Sequence, residues 1–224
     1  MFILYPRLVK CIVTAGPTYE TMDNVRRLTN FSTGRLGTEL ANYLTTRGHD
    51  VTLLIGEQST HCGERLAQSV EQFTTTANLL EKFQTLAKQN IGAIFHAAAV
   101  SDFTFGKIWL RSPAGELSEI KSGKISTRAG TLMAELVPTP KIIAQLRDLF
   151  PKTKIAGWKF EVDGDRASVL RAAENQLRDC RTDLCVANGP AFGVGFGLVS
   201  DFGQCRQIAD TNELFMALEK FLGD

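Results

Sequence analysis

Most of the devices that announce a function are missing from this sequence. Its five cysteines (Cys11, Cys62, Cys180, Cys185, Cys205) form no C-x-x-C pair, and disulfide or zinc frameworks need tighter spacing. Reduced, mostly buried thiols are expected. The three histidines, His49, His61 and His96, do not cluster, which argues against a histidine-based metal site. No apolar run is long enough to span a bilayer. The opening residues 1–7 are too short for a signal peptide and precede no cleavage site. A cytoplasmic protein without membrane contact is expected. Lys and Arg number 25 against 24 Asp and Glu, a net charge of +1, so no global basic field points to nucleic acid. There is no internal repeat, linker or low-complexity tract.

What remains is ordinary in bulk and specific in detail. The 224 residues, 44% hydrophobic and 22% charged, suit one α/β domain with a sizeable core, expected over 1–224. Residues 9–15 (VKCIVTA) form an apolar run that Gly16-Pro17 breaks, as a buried parallel strand would. Residues 35–47 put Leu36, Leu40, Tyr43 and Leu44 on one helical face before the stop at Gly48. A strand at 51–55, a helix at 78–89 and a strand at 91–100 follow. This alternation predicts a Rossmann-like, mostly parallel sheet flanked by helices. Glycine and proline punctuation predicts an extended β excursion at about 103–137. The α/β rhythm then returns. A helix is predicted at 140–150, with Pro140 in its first turn, then a strand at 154–158, a helix at 165–181 and a strand at 183–187. A glycine-rich loop over 189–203, a strand at 205–209 and a helix at 211–222 capped by Thr211 complete the chain.

Ligands of open α/β sheets bind beyond the carboxyl ends of the strands, and unusual loops fall there. The lead-in from Gly16 to Gly37 is long, and Ser32-Thr33-Gly34-Arg35-Leu36-Gly37 opens the first helix. Unpaired N–H groups and the helix dipole favour an anion at such a start. The plainer reading makes Ser32 a cap and Gly37 a packing residue. Arg26 and Asn30, four apart, suit a carboxylate or phosphate, or else are solvated. Ala97-Ala98-Ala99 leaves room beside the backbone, with Asp102 as acceptor or cap. Trp158 either packs on a base or belongs to the core. The glycines after Asn188 form a cover or an irregular surface loop.

Taken in order, these segments resemble the phosphopantothenate–cysteine ligase family over nearly the whole chain. Val13-Thr14-Ala15-Gly16-Pro17-Thr18 is similar to its first strand and turn. Residues 23–37 (DNVRRLTNFSTGRLG) resemble its D-x-V-R-x-x-x-N-x-S-[ST]-G-x-x-G signature. Residues 97–103 resemble its A-A-V-[AS]-D-[YF] turn, and 136–142 its L-V-x-x-P-x-I segment. Ala156-Gly157-Trp158 stands where the family has V-G-F, and Val186-Ala187-Asn188 matches V-A-N.

The resemblance implies a ligase of coenzyme A biosynthesis that joins 4′-phosphopantothenate to L-cysteine through an acyl-nucleotidylate made from CTP or ATP. Magnesium would accompany the triphosphate, without a dedicated metal cage in the protein. Asn30 would hold the reacting carboxylate, with Arg26 beside it. Lys124, matching the first lysine of the family's K-I-K-K segment, would reach toward phosphate. Gly16, Ser32, Gly34, Gly37, Asp102, Pro140, Lys141, Ile142, Trp158 and Asn188 would line the nucleotide site, and Ala98 and Ala99 the pantothenate arm. A homodimer formed partly through the excursion is implied, with the following decarboxylation on a separate chain.

The sequence also departs from the family. Ile125-Ser126-Thr127 lacks the later lysines of K-I-K-K, and Asn188-Gly189 replaces Asn-Asp. The two lysines that many members carry on the helix after V-G-F are absent, leaving Arg178 or Arg181 as possible substitutes. A non-catalytic or divergent nucleotide-binding paralogue is the alternative. An NAD(P)-dependent Rossmann reductase fits less well, because no compact glycine turn follows Ala15 and no Tyr-x-x-x-Lys pair occurs.

Overall fold

Alternation of side chains along the first strand sets the layering. In β1 (Lys10–Ala15), Cys11, Val13 and Ala15 pack into one core cluster and Ile12 into another, the period-two pattern of a strand buried on both faces. The computed structural model describes residues 8–126, 130–200 and 203–223. The opening residues 1–7, Thr127 and positions 201–202 of the expected glycine-rich loop lie outside the described residues.

The central sheet has eight strands, in the order β13 (Cys205–Ile208), β12 (Phe196–Ser200), β11 (Leu184–Asn188), β10 (Lys154–Phe160), β6 (Ala93–His96), β1, β4 (Asp50–Gly56), β5 (Ser69–Phe73). From β5 to β11 every neighbour is parallel, while β12 pairs antiparallel with both β11 and β13. Helices α1 (Arg35–Thr46) and α5 (Thr211–Gly223) cover one face. The other face is covered by α2 (Thr76–Leu86), α3 (Ile142–Leu149) and α4 (Arg166–Cys180). This is the Rossmann-like layering that the alternation of strands and helices predicts.

Helix α1 shows how the sequence builds these layers. Leu40 and Leu44, one turn apart, are fully buried against β1 and β4, each contributing roughly 1.5–3 kcal/mol by leaving water. The helix stops as predicted at Gly48, whose φ of 91° suits a residue without a Cβ. There the Gly48 N–H donates to the Thr45 carbonyl and the His49 N–H to the Leu44 carbonyl.

The excursion is a three-stranded antiparallel sheet of order β8 (Leu117–Glu119), β7 (Phe103–Arg111), β9 (Thr131–Pro138). Other expectations need correction. The glycine-rich stretch 189–203 is not a loop throughout, because β12 lies inside it and pairs on both edges. Pro140 precedes α3, whose N-cap is Lys141. Asp210, not Thr211, caps α5, its Oδ1 accepting from the Glu213 N–H at 2.9 Å. The long lead-in contains a small hairpin, β2 (Tyr19–Thr21) with β3 (Arg27–Thr29). Neither this hairpin nor the half-polar edge strand β5 (SVEQF) carries enough apolar periodicity to be predicted.

Candidate functional site

β1 is the point at which the order of the strands reverses. The chain continues to β4 on one side and later returns to β6 on the other, and such a switch point opens a crevice beyond the strand ends. The two loops leaving it are bonded to each other. The Ala99 N–H donates to the Gly16 carbonyl at 3.0 Å, and the Thr18 N–H to the Ala99 carbonyl at 3.1 Å. The Asn30 side-chain amide, Nδ2, donates to the same Ala99 carbonyl at 3.2 Å. The structure therefore gathers Gly16, Asn30, Ala98 and Ala99 on one rim.

Helix α1 starts at this rim. Its N-cap is Gly34, at φ 81°, which has no side chain to offer, and the Arg35 N–H donates instead to Thr33 Oγ1 at 3.3 Å, so the plainer reading of Ser32 as a cap does not hold. The remaining first-turn N–H groups keep the positive end of the helix open to an anion. Gly16 and Gly34 lie together: a Cβ on Gly34 would sit 3.4 Å from the Gly16 Cα, and Ser59 Oγ crowds both positions. That Ser59 hydroxyl is buried without a hydrogen-bond partner among the described residues. Gly37 has a packing reason, since a Cβ there would lie 2.7 Å from the Thr14 carbonyl oxygen.

Below the rim the floor is polar and buried. Thr14 Oγ1 accepts from the Ala98 N–H at 3.0 Å and lies 2.9 Å from His96 Nδ1. Burial pushes the His96 imidazole down to a pKa of about 4, so the ring is neutral. Its Nδ1 is the natural acceptor for the one Thr14 hydroxyl proton. Thr18 Oγ1 donates to Ser101 Oγ and accepts from the Ser101 N–H, and Thr29 Oγ1 donates to the Thr18 carbonyl. These bonds satisfy buried polar groups and fix the loops against one another.

The other predicted residues surround this rim. Asp102 is exposed, and its carbonyl accepts from the Thr139 N–H at 2.9 Å, which brings Pro140 and Lys141 beside the 97–102 turn. Ile142 is 1% exposed and belongs to the core, so only its backbone is left to meet a ligand. Asn188 ends β11, while Trp158 lies two residues inside β10, which runs on to Phe160, and packs partly against the core. Trp158 Nε1 and Asn188 Oδ1 are buried without partners among the described residues. Arg26 turns to Asp23 and the Ile125 carbonyl, and so to the exposed segment that carries Lys124. Arg178 pairs with Asn175 and Asp179, and Arg181 with Asp148. Arg178 on α4 and Arg181 at its C-cap are exposed, and these are surface pairs.

Some of the framework escaped sequence reasoning. Thr14 and His96 had one visible signal, a polar residue in or at the end of an apolar strand. Asp23 had its place in the signature. Ser59 had none. Three of the five thiols, Cys11, Cys180 and Cys185, are buried, Cys205 is half-buried and Cys62 is exposed; burial pushes Cys11 and Cys185 to about 12.

Comparison with known proteins agrees with this architecture. The family model described as the DNA/pantothenate metabolism flavoprotein C-terminal domain matches residues 7–215. The chain is 33% identical over 186 residues to the coenzyme A biosynthesis bifunctional protein CoaBC of Thermococcus kodakarensis, covering 82% of this chain and 42% of that protein. It thus spans less than half the length of that relative, and of the Methanocaldococcus jannaschii and Bacillus subtilis proteins of the same name. The solved DNA/pantothenate metabolism flavoprotein from Streptococcus pneumoniae superposes with a TM-score of 0.82 at 27% identity, covering 95% of this chain and 98% of that one. A Cab2 variant in complex with phosphopantothenate-cysteine shares the fold, with a TM-score of 0.72 at 19% identity over 96% of this chain and 87% of that one.

Proposed function

This chain belongs to the DNA/pantothenate metabolism flavoprotein C-terminal domain family, and we propose that it is a ligase joining 4′-phosphopantothenate to L-cysteine in coenzyme A biosynthesis. The 4′-phosphopantothenate carboxylate attacks the α-phosphate of CTP or ATP and expels pyrophosphate. The cysteine amine then attacks the acyl carbon, loses a proton, and releases the nucleoside monophosphate. The chemistry asks for positioning and charge stabilisation rather than a protein nucleophile.

The observation that carries this reading is the Asn30 side chain bonded across the switch point to Ala99, beside an uncapped helix start. The triphosphate lies against Gly16, Ser32, Gly34 and the α1 N-terminus, with Gly37 holding that helix close. Asn30 keeps the carboxylate, and later the acyl group, in reach. Ala98 and Ala99 give the pantothenate arm space. Trp158 and Asn188, on neighbouring strands, flank base and ribose, with Asp102, Pro140, Lys141 and the Ile142 backbone nearby. Lys124 supplies positive charge to the phosphates. Among the described residues no group of three or more His, Cys, Asp or Glu is placed to hold a metal. Magnesium fits as a companion of the triphosphate, held by its oxygens and water.

The test is incubation with 4′-phosphopantothenate, cysteine, Mg²⁺ and each triphosphate in turn, reading pyrophosphate and the coupled product. Triphosphate binding without turnover supports instead a non-catalytic paralogue. That second reading is favoured by Ile125-Ser126-Thr127 lacking the later lysines of K-I-K-K. Binding of NAD(P)H alone overturns both.

A further inference from the structure

The segment that carries Lys124 has no regular structure of its own, yet it is fastened on both sides of the lysine. Lys124 is exposed, while Ile125 beside it is only 2% exposed. The Asn24 N–H donates to the Gly123 carbonyl at 2.9 Å. A Cβ on Gly123 would lie 2.6 Å from Asn24 Nδ2, so the Asn24 side chain lies directly against the glycine. The Ile125 N–H donates to Asp23 Oδ2 at 3.2 Å, and its carbonyl accepts from Arg26 Nη2 at 2.8 Å.

Asp23 organises the whole contact. Its side chain is 1% exposed, although it carries a charge. Oδ1 accepts from the Val25 and Arg26 N–H groups at 2.9 and 2.8 Å. Oδ2 lies 3.3 Å from Arg26 Nη1. A carboxylate buried this far costs free energy unless its lone pairs are filled, and here they are filled. The Val25 N–H first, then those of Ile125 and Arg26 and the Arg26 guanidinium, hold its carboxyl below the usual carboxylate range.

We propose that Asp23 and Arg26 are positioning residues for Lys124: they clamp Gly123 and Ile125 so that the exposed ammonium meets the triphosphate from a fixed base. This rests on the triphosphate site proposed above. It gives Arg26 a task different from touching the substrate carboxylate. A lysine on a loose segment would lose backbone as well as side-chain freedom on binding, and the clamp removes the backbone part beforehand.

The test is a double-mutant cycle on the whole chain, read as affinity for CTP and ATP by titration with Mg²⁺ present. Lys124→Ala is expected to weaken the preferred triphosphate about tenfold, the worth of one charge-assisted hydrogen bond. Asp23→Asn and Arg26→Gln should each give a similar loss, and neither should weaken binding further in the Lys124→Ala background. Hydrogen exchange should quicken at the Ile125 amide while the β1 and β6 amides keep their protection. That result separates a released clamp from an unfolded protein. Multiplying losses, wild-type affinity in Asp23→Asn and Arg26→Gln, or wild-type affinity in Lys124→Ala overturns the inference. A wild-type protein that binds triphosphate but makes no coupled product overturns the proposed reaction and leaves the clamp testable by the same cycle. One that binds no triphosphate overturns both.

Discussion

Asn30 and Ala99 meet across the crevice, the Asn30 side-chain amide donating to the Ala99 carbonyl at 3.2 Å. That carbonyl also accepts from the Thr18 N–H, and the Ala99 N–H donates to Gly16. One contact thus joins the long lead-in to the turn after β6. Asn30→Asp removes the amide donor to Ala99 and, with it, the proposed hold on the acyl group during attack by the cysteine amine. The expected outcome is at least a tenfold loss of turnover, about 1.4 kcal/mol of transition-state stabilisation. The acyl-nucleotidylate should accumulate. Quenched-flow measurement of pyrophosphate against coupled product checks this, and normal turnover would remove Asn30 from its proposed role.

Gly37 lets α1 lie directly on β1. A Cβ there would sit 2.7 Å from both the Thr14 carbonyl oxygen and the Ala15 Cβ, and backbone cannot yield as a flexible side chain would. Gly37→Ala should destabilise the fold by about 1–3 kcal/mol through overpacking, which lowers the thermal midpoint by roughly 2–10 °C. An unshifted melting curve would show that the helix stands off the strand.

The buried imidazole of His96 makes stability depend on pH. In the unfolded chain the ring titrates near 6.5, and in the fold near 4. Between those values the unfolded state binds more protons, so stability rises with pH. Its contribution is complete above about pH 6.5 and drains away as pH falls toward 4. The gap corresponds to roughly 3 kcal/mol. Urea unfolding at several pH values should show this slope, and His96→Gln should flatten it. Equal slopes in the two proteins would contradict the burial argument.

Pairing in the excursion sets Phe103 opposite Pro138 and Phe105 opposite Leu136. Phe103 and Leu136 are 45% and 50% exposed. If the chain forms the homodimer proposed from its family resemblance, this apolar ladder is the surface to be covered. Leu136→Lys is then expected to shift the protein from dimer to monomer in sedimentation velocity, with its melting temperature little changed at low concentration. An unaltered sedimentation coefficient would place the interface elsewhere.

Much of this protein was legible along the chain because its signals are local. Apolar runs such as VKCIVTA, the i, i+4 pair Leu40 and Leu44, and the stop at Gly48 need only neighbouring residues to specify strand, face and terminus. The resemblance at 23–37 likewise depends on spacing within one segment. Edge strand β5, the hairpin β2–β3 and the strand inside the glycine-rich stretch stayed hidden. Their residues are half-polar, and their strand identity comes from a partner far away in sequence. The site divides the same way. Sequence determined which residues are small or polar at the strand ends: Gly16, Asn30, Gly34, Ala98 and Ala99. Only the tertiary structure decided what each one faces. It bonded Arg26 to the Lys124 segment and set Asp23 at the centre of that contact. It set Ile142 in the core and left Ser59 beside two glycines. The physical reason is that a side chain's role depends on the donors, acceptors and voids that distant segments bring to it, and these exist only once the sheet has formed.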